Sequence, residues 1–499
     1  MTREFRFSLL GLRRADIGRI VRRRDVAARL FLTLQTGTLA WGALAFGANY
    51  PWAFWPLAVA AVICGVVGLL VLPSQSPRLT CVPFALWLAV IAVAVLLQLA
   101  PIPLDVLAVV SPRASGLVSQ LDIPFSAGLV SRHAISIAPA ATLTALALFV
   151  AFGVMTLGVA RAVSITGPRW LAGVIAVLGV VMALVAIIQQ PFYAGKIYGF
   201  WTPRMPGTPF GPFVNKNHFA GWMLMALPLS FGLLCAAVTR AVSRVQPDWR
   251  RRIIWLSSPE ANRTLLLAAA ATVMALSLVM TMSRSGILAF AVSVAVVSWW
   301  AIRRLPSGST RIVAAVYLAS LTLLVVAWAG ADTIAARFST TNANTVNDRL
   351  PIWRDTFAIM RDFWLTGTGL NTYGVATLFY QTSMHGFHLR EAHNDYLQLA
   401  AEGGLLLGIP IAGALAAFAV AVRRQFRTSS GSSYWIRLGA VMGLVAIAVQ
   451  TTVDFSLQMP GNAALCAVLC GIALHRDPRL HMRRDRMPTS ETPTRHRSS

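Results

Sequence analysis

Long apolar runs separated by short polar gaps dominate the chain. Runs of roughly 16–21 residues are long enough to cross a bilayer as helices. About 12 such runs occur, centred near residues 38, 62, 91, 150, 180, 229, 273, 294, 321, 412, 444 and 467. The pattern predicts an all-α, polytopic integral membrane protein with about 12 transmembrane helices.

Composition and charge support this fold class. The chain is 56% hydrophobic and 12% charged, which would leave a water-soluble domain without enough polar surface. Most Lys and Arg residues lie in alternate gaps between the apolar runs, so the positive-inside rule places both termini in the cytoplasm. The net charge of +25 therefore reflects topology. Nucleic-acid binding is disfavoured, because the arginines are dispersed instead of lining one surface.

The gaps divide the chain into five segments. We expect a basic amphipathic cytoplasmic N-terminus at 1–29, spans one to nine in 30–331, a periplasmic cap loop at 332–396, spans ten to twelve in 397–475, and a basic disordered cytoplasmic tail at 476–499. The cap loop is predicted to contain helices near 350–363 and 373–384, with a turn at GTGLNTYG between them. Loops this long are usually functional when folded.

A dense polar cluster, HLREAHNDYLQLAAEGG at 388–404, lies directly before the tenth apolar run. Polar groups at the edge of hydrocarbon are costly unless they are satisfied or used. Two other outward-facing helix starts carry cations: Lys216, beside Asn217 and His218, and Arg284 in the TMSRSG turn. A helix N-terminus favours anions. If the three starts converge, they form a cationic pocket suited to the pyrophosphate of a lipid carrier.

Each of these residues also has a purely structural interpretation. Arg284 could contact lipid phosphates and Lys216 could anchor its helix at the interface. His393 could be an ordinary buried histidine, or a catalytic imidazole whose tautomer Glu391 and Asn394 fix. Arg349 could lie on the solvated face of a loop helix or reach the pocket. Further candidates for substrate binding are Arg204, Arg390 and Tyr396.

Other chemistries are weaker. The histidine spacing in HGFHLREAH matches no standard zinc pattern, so we expect no metal and no cofactor. The spans are nearly free of ionisable groups, with Glu402 at the rim of the tenth as the nearest exception, which weakens an ion-coupled transporter. A lipid-linked glycan flippase or exporter remains an alternative.

At these residues the sequence resembles the O-antigen ligase and polymerase family of bacterial envelope glycosyltransferases. The matching pieces are FVNKNHFAG, TMSRSG, RLPIWRDTFAIMRDFWLTGTGLNTYG and EAHNDYLQLAAEGGLLLG, in that order, over roughly residues 205–422. The resemblance implies a GT-C-like, metal-independent, inverting transferase in the bacterial inner membrane with its site facing the periplasm. By that match, His393 corresponds to the family's histidine and Arg284 to its arginine before a span.

The substrates follow from the same resemblance. An O-antigen ligase transfers a glycan from undecaprenyl pyrophosphate to a sugar hydroxyl of lipid A–core and so completes lipopolysaccharide. A polymerase that extends glycan repeat units on undecaprenyl pyrophosphate shares the same motifs and is the main alternative. The expected partners are therefore the lipid-linked donor, the lipid A–core acceptor and membrane lipids, without nucleic acid.

Overall fold

The computed structural model describes residues 14–71, 81–204, 207–242, 257–304, 342–382, 386 and 388–477. In the first part of that range the helices are α1 (Arg14–Leu44), α2 (Pro51–Val66), α3 (Val82–Leu99), α4 (Leu104–Val110), α5 (Pro112–Leu121), α6 (Ile123–Ser126), α7 (Pro139–Thr166) and α8 (Arg169–Gln189). Two short antiparallel strands, β1 (Ile102–Pro103) and β2 (Arg132–His133), flank α4–α6.

The second part contains the helices α9 (Lys216–Val242), α10 (Pro259–Met280), α11 (Arg284–Arg304), α12 (Asn342–Asp362), α13 (Tyr373–Tyr380), α14 (Asp395–Thr428), α15 (Gly431–Gln450) and α16 (Pro460–Leu474). The expected cap-loop helices near 350–363 and 373–384 correspond to α12 and α13, and α12 begins earlier than predicted.

Eight described helices are long and apolar enough to cross a membrane: α2, α3, α7, α8, α9, α10, α14 and α15. The chain is therefore a mostly helical protein with several candidate spans. Of the remaining predicted centres, residue 38 lies in α1, residue 294 in α11 and residue 467 in the shorter α16. The centre at 321 lies outside the described residues, and the total of twelve stays a prediction.

The central helix is α9. In its most apolar stretch of 18 residues, 78% of the residues are buried, compared with 22% in the corresponding stretches of α3 and α14. It packs against α8, α10, α11, α15 and α16. Glycines permit the close crossing of α9 and α15: a Cβ on Gly439 would lie 2.5 Å from the Pro228 carbonyl oxygen, and one on Gly443 would lie 2.7 Å from that of Met225. This contact aligns the beginning of α9 with the end of α15.

A separate apolar core joins α4–α6 to α12 and α13 on the side of the bundle where α9 and α14 begin. Its buried members include Leu107, Val118, Ile137, Ile359, Phe363, Tyr373 and Ala392. The described part of the predicted cap loop is therefore a folded unit that shares its core with the 104–137 segment. Its attachment to the bundle fixes the position of α12.

The helix α14 is broken at Gly404, which has φ of 52° and ψ of −154°. The N–H groups of Leu405 and Leu406 bond to the carbonyls of Trp364 and Leu365, both at 2.9 Å. The Glu402 carboxylate accepts the N–H groups of residues 371 and 373, at 2.7 and 3.0 Å. The backbone groups freed by the break are thus satisfied by the turn after α12, as a membrane environment requires.

Candidate active site

The first element of the candidate site is the start of α9. The Oδ1 of Asn215 accepts the N–H of Asn217 at 2.9 Å, and its carbonyl accepts the N–H of His218 at 3.1 Å. Asparagine is a preferred N-cap because its side chain satisfies N–H groups that the first turn leaves open. The half-buried Lys216 therefore stands at the helix terminus, and His218, two residues further along, is buried.

The second element is the start of α11. The Oγ of Ser283 accepts the N–H of Gly286 at 3.3 Å and so caps the helix, a role that serine favours. A Cβ on Gly286 would lie 2.9 Å from the Cβ of Ala220. The first turn of α11, with the half-buried Arg284, therefore packs directly against the beginning of α9.

The third element is the start of α14, which Asn394 caps. Its Oδ1 accepts the N–H groups of Tyr396 and Leu397, at 3.0 and 3.1 Å. His393 immediately precedes the cap and has φ of 52°, in the left-handed region. A non-glycine residue pays about 1–2 kcal/mol for that conformation. The fold therefore holds this imidazole in place against a local backbone preference.

One loop, residues 451–458 between α15 and α16, connects two of these helix starts. The carbonyl of Thr451 accepts the N–H of Asp395 at 3.0 Å, and Gln458 Nε2 donates to the Asp395 carboxylate at 2.8 Å. On the other side, Ser456 Oγ donates to the Asn217 carbonyl at 3.3 Å. The 451–458 loop thus brings the beginnings of α9 and α14 together.

Within this loop, Phe455 lies between the two histidines and Asp454 lies beside His218. The Phe455 ring meets both imidazoles edge-on, with centroids 4.7 Å from His218 and 4.9 Å from His393. The fully buried Asp454 places Oδ1 3.9 Å from His218 Nε2, and its carboxylate also interacts with the side chain of Asn217. The sequence interpretation missed both loop residues.

Arg349 of α12 belongs to the same cluster of side chains. The cluster consists of Arg284, Arg349, Asp454, His218 and His393 around Phe455, and we call it the polar group. The indole N–H of Trp353, one helical turn after Arg349, donates to the Ala392 carbonyl at 3.1 Å, and so binds α12 to the segment before His393. Burial lowers the pKa of Arg349, while the charge of Asp454 raises it and that of Arg284 lowers it. Arg284, Arg349 and Asp454 are therefore close enough to interact electrostatically.

The burial of this group shifts two pKa values outside the helices. Burial, and then the charge of Arg349, lower the pKa of His393 to about 4, so its imidazole is neutral at pH 7. Burial raises the pKa of Asp454 to about 6 against the opposing effects of Phe455 N–H, Arg349 and Asn217. At neutral pH the site therefore combines two guanidiniums, one carboxylate and an imidazole able to accept a proton.

Other predicted residues lie at varying distances from this group. Burial raises the pKa of Glu391, which interacts with Arg390 and Tyr373; among the described residues, no contact of its carboxylate with the His393 ring is found. Arg204 and Arg390 are exposed. The exposed Tyr396 donates its hydroxyl to the Ala448 carbonyl at 2.9 Å, which fixes the start of α14 to the end of α15. The roles predicted for these residues stay predictions.

In the described parts of the chain, no three His, Cys, Asp or Glu side chains come close enough together to share a metal ion. The groups that converge are instead suited to an anion beside an apolar wall: guanidiniums, helix N-termini and imidazoles around the Phe455 ring. The candidate spans indicate a membrane protein, and the residues at one end of them are suited to an anion.

A comparison with protein families identifies the class more closely. Residues 269–412 match the family model described as O-antigen ligase, which places this segment in the O-antigen ligase family and confirms the resemblance noted in the sequence. The match supports a membrane enzyme with a ligase- or polymerase-type function in lipopolysaccharide biosynthesis. A search of curated proteins found no match to the chain.

The matched segment contains Arg284, Arg349 and His393. Lys216 and His218 precede it, and Asp454 and Phe455 follow it. The chain therefore completes the polar group with residues from both flanks of the family segment.

Proposed function

We propose that the protein is an O-antigen ligase. It transfers a glycan from undecaprenyl pyrophosphate to a sugar hydroxyl of lipid A–core, at the periplasmic face of the bacterial inner membrane, by metal-independent inverting transfer on a GT-C-like fold. The observation that carries the proposal is the grouping of Arg284, Arg349 and the neutral His393 imidazole at the meeting point of three helix starts.

In this proposal the cationic side chains bind the diphosphate of the lipid-linked donor. Arg349 is costly to keep charged mainly because it is buried; Asp454 favours its charged form and Arg284 disfavours it. A diphosphate adds negative charge beside the two arginines and accepts bidentate hydrogen bonds from guanidinium groups. The start of α9, with Lys216, adds a helix N-terminus that also favours negative charge. Charge that develops on the departing pyrophosphate is therefore stabilised by groups already in position.

In this proposal the His393 imidazole accepts the proton of the acceptor hydroxyl. The acceptor hydroxyl oxygen attacks the anomeric carbon on the face opposite the pyrophosphate, and a new carbon–oxygen bond forms as the carbon–oxygen bond to phosphate breaks. The bonding pair leaves with undecaprenyl pyrophosphate, and the hydroxyl proton passes to His393. Because the bound diphosphate offsets the charge of Arg349, it raises the pKa of His393 from its value near 4 and makes the ring a stronger base.

The 451–458 loop has a positioning role in this mechanism. Phe455 separates the two imidazoles and presents an apolar edge to each, which limits the rotation of His393. Asp454 balances the charge of Arg349 and interacts with the side chain of Asn217 at the start of α9. The distribution of Lys and Arg between the spans favours a site that faces the periplasm, where a lipid-linked glycan and lipid A–core meet.

The direct test supplies purified protein with lipid-linked glycan, with and without lipid A–core, in the presence of a chelator. A ligase attaches the glycan to the core lipid and releases undecaprenyl pyrophosphate. Lengthening of the carrier-bound glycan without core labelling would identify a polymerase instead. Movement of the donor between leaflets with no new glycosidic bond would identify a flippase, and loss of all transfer with chelator would overturn the metal-independent step.

A further inference from the structure

A groove between α14 and α15 lies at the opposite end of the bundle from the candidate active site. The two helices are joined by only Ser429 and Ser430, yet each packs mainly on other partners: α14 on α3, and α15 on α9 and α11. The space left between them is a groove of about 530 Å³. That volume lies within the range of specific ligand sites.

The groove has apolar walls and a basic rim. The walls consist of side chains from both helices: Phe418, Ala419, Val422 and Phe426 from α14, and Tyr434, Leu438, Val441 and Met442 from α15. Arg423 and Arg427, one turn apart on α14, are exposed at the rim. Within the described residues, neither forms an ion pair with a carboxylate. The site therefore offers a two-charge anchor above an apolar channel.

Buried contacts fix the shape of the groove. The fully buried Arg437 lies behind the wall, with its guanidinium carbon 5.9 Å from the centre of the Phe426 ring. It donates to the carbonyls of Ala473 at 2.9 Å and Gln425 at 3.1 Å, and so ties α15 to the last turn of α14. The nearby carboxylate of Asp477 is itself buried and accepts the Ser430 N–H at 3.3 Å. The exposed arginines are thus not needed to complete these helix ends.

We propose that this groove binds an anionic diacyl phospholipid of the surrounding bilayer, with its phosphate between Arg423 and Arg427 and an acyl chain along the apolar walls. The charge of the rim selects a net-negative headgroup over a zwitterionic one, because cations close to the membrane surface attract anionic lipids. A free phosphate would leave the apolar walls uncovered. This site is separate from the proposed transferase reaction and does not depend on it.

Native mass spectrometry of the purified full chain, titrated with phosphatidylglycerol, tests the proposal. We expect R423Q/R427Q to weaken binding by about tenfold or more, since each cation near a lipid surface contributes measurably to attraction. Ala419→Trp, at an exposed groove position, should weaken it similarly by filling the channel. Arg424→Gln is the control: Arg424 is also exposed on the same turn but lies outside the groove, so binding should change by less than about twofold.

Two further arms separate the sources of the phosphate group. Phosphatidylcholine should bind at least about tenfold more weakly than phosphatidylglycerol, and inorganic phosphate should not displace the lipid. Unchanged binding by R423Q/R427Q would overturn the proposal. So would an equal loss in Arg424→Gln, which would indicate general surface charge, or displacement by inorganic phosphate, which would indicate a simple anion site.

Discussion

His393 combines an unusual backbone conformation with a neutral imidazole, and the two properties can be separated. Asparagine tolerates the left-handed conformation well, so H393N removes the base without adding strain. We expect transfer to fall about 10²- to 10⁴-fold, the usual contribution of a general base, while the melting temperature of the purified protein stays within a few degrees of wild type.

His388→Asn serves as the control for H393N. His388 is exposed and bonds the Gly374 carbonyl through Nε2, outside the polar group. Its substitution should leave transfer within about twofold of wild type. Wild-type transfer rates in H393N would show that the imidazole does not accept the proton.

Asp454 predicts a pH dependence. Its pKa is raised to about 6 by burial, so the carboxylate is charged above pH 6 and neutral below. Because only the charged form offsets the positive charge of Arg349, kcat/KM should fall as pH drops through 6. In Asp454→Asn this acid limb should be absent and the rate at pH 7.5 lower than in wild type. If the fall in kcat/KM below pH 6 persisted unchanged in Asp454→Asn, a different titrating group would be responsible for it.

The same shift has a consequence for stability with a definite sign. A carboxyl whose pKa is higher in the folded than in the unfolded protein destabilises the fold as pH rises from about 4 to 6. Asp454→Asn removes that effect. We therefore expect the variant to melt at a higher temperature than wild type at pH 7.5, with a smaller difference near pH 5. A lower melting temperature at pH 7.5 would contradict the burial of an incompletely compensated charge.

At the scale of elements, the cap of α14 positions His393. Asn394→Ala removes the acceptor of two N–H groups and should cost about 1 kcal/mol of stability. Because the imidazole precedes the cap directly, transfer should fall by more than tenfold. Asn394→Asp retains a capping oxygen, so it should restore most of the stability and transfer. Equal activity of the alanine and aspartate variants would show that the cap does not position the base.

The close crossing of α9 and α15 contributes to stability, and this contribution can be measured with a substitution. Gly439→Ala places a Cβ 2.5 Å from a backbone oxygen of α9, so the helices must separate. Overpacking of this kind typically costs about 1–3 kcal/mol. The melting temperature should fall clearly in Gly439→Ala. Gly408→Ala in α14 adds a methyl group in open space and should be neutral or slightly stabilising.

The three helix starts could be predicted from the sequence because their signals are local. Asn215, Ser283 and Asn394 stand before apolar runs and cap the helices as their residue types favour. Asp454 had no such signal. It stands alone between two apolar runs, and its spatial neighbours Asn217 and His218 come from more than 200 positions earlier. Only the packing of α9 on α15 brings them together.

Glu391 shows that closeness in sequence does not establish contact in the fold. Its position two residues before His393 suggested a partner for the imidazole, yet in the fold it interacts with Arg390 and Tyr373. Arg349 could equally have belonged to a solvated loop helix. Its approach to the polar group depends on the Trp353–Ala392 bond and on the shared core of the cap, neither of which has a local sequence pattern.

At the scale of the whole molecule, the segments that form the polar group are spread over nearly half the length of the chain, from the start of α9 to the 451–458 loop. The beginnings of α9, α11 and α14 supply N-termini, α12 supplies Arg349, and the 451–458 loop joins two of the starts. Since the O-antigen ligase match covers only 269–412, the complete site requires the flanking helices. We therefore expect the isolated matched segment to lack transfer activity.

The most direct test is a structure of the protein with an unreactive lipid-linked glycosyl diphosphate bound. The diphosphate should lie within hydrogen-bond distance, about 3 Å, of the guanidinium groups of Arg284 and Arg349, with the anomeric carbon on the side of His393. A diphosphate bound elsewhere on the bundle, with Arg284 and His393 facing separate cavities, would contradict the single site proposed for the transfer.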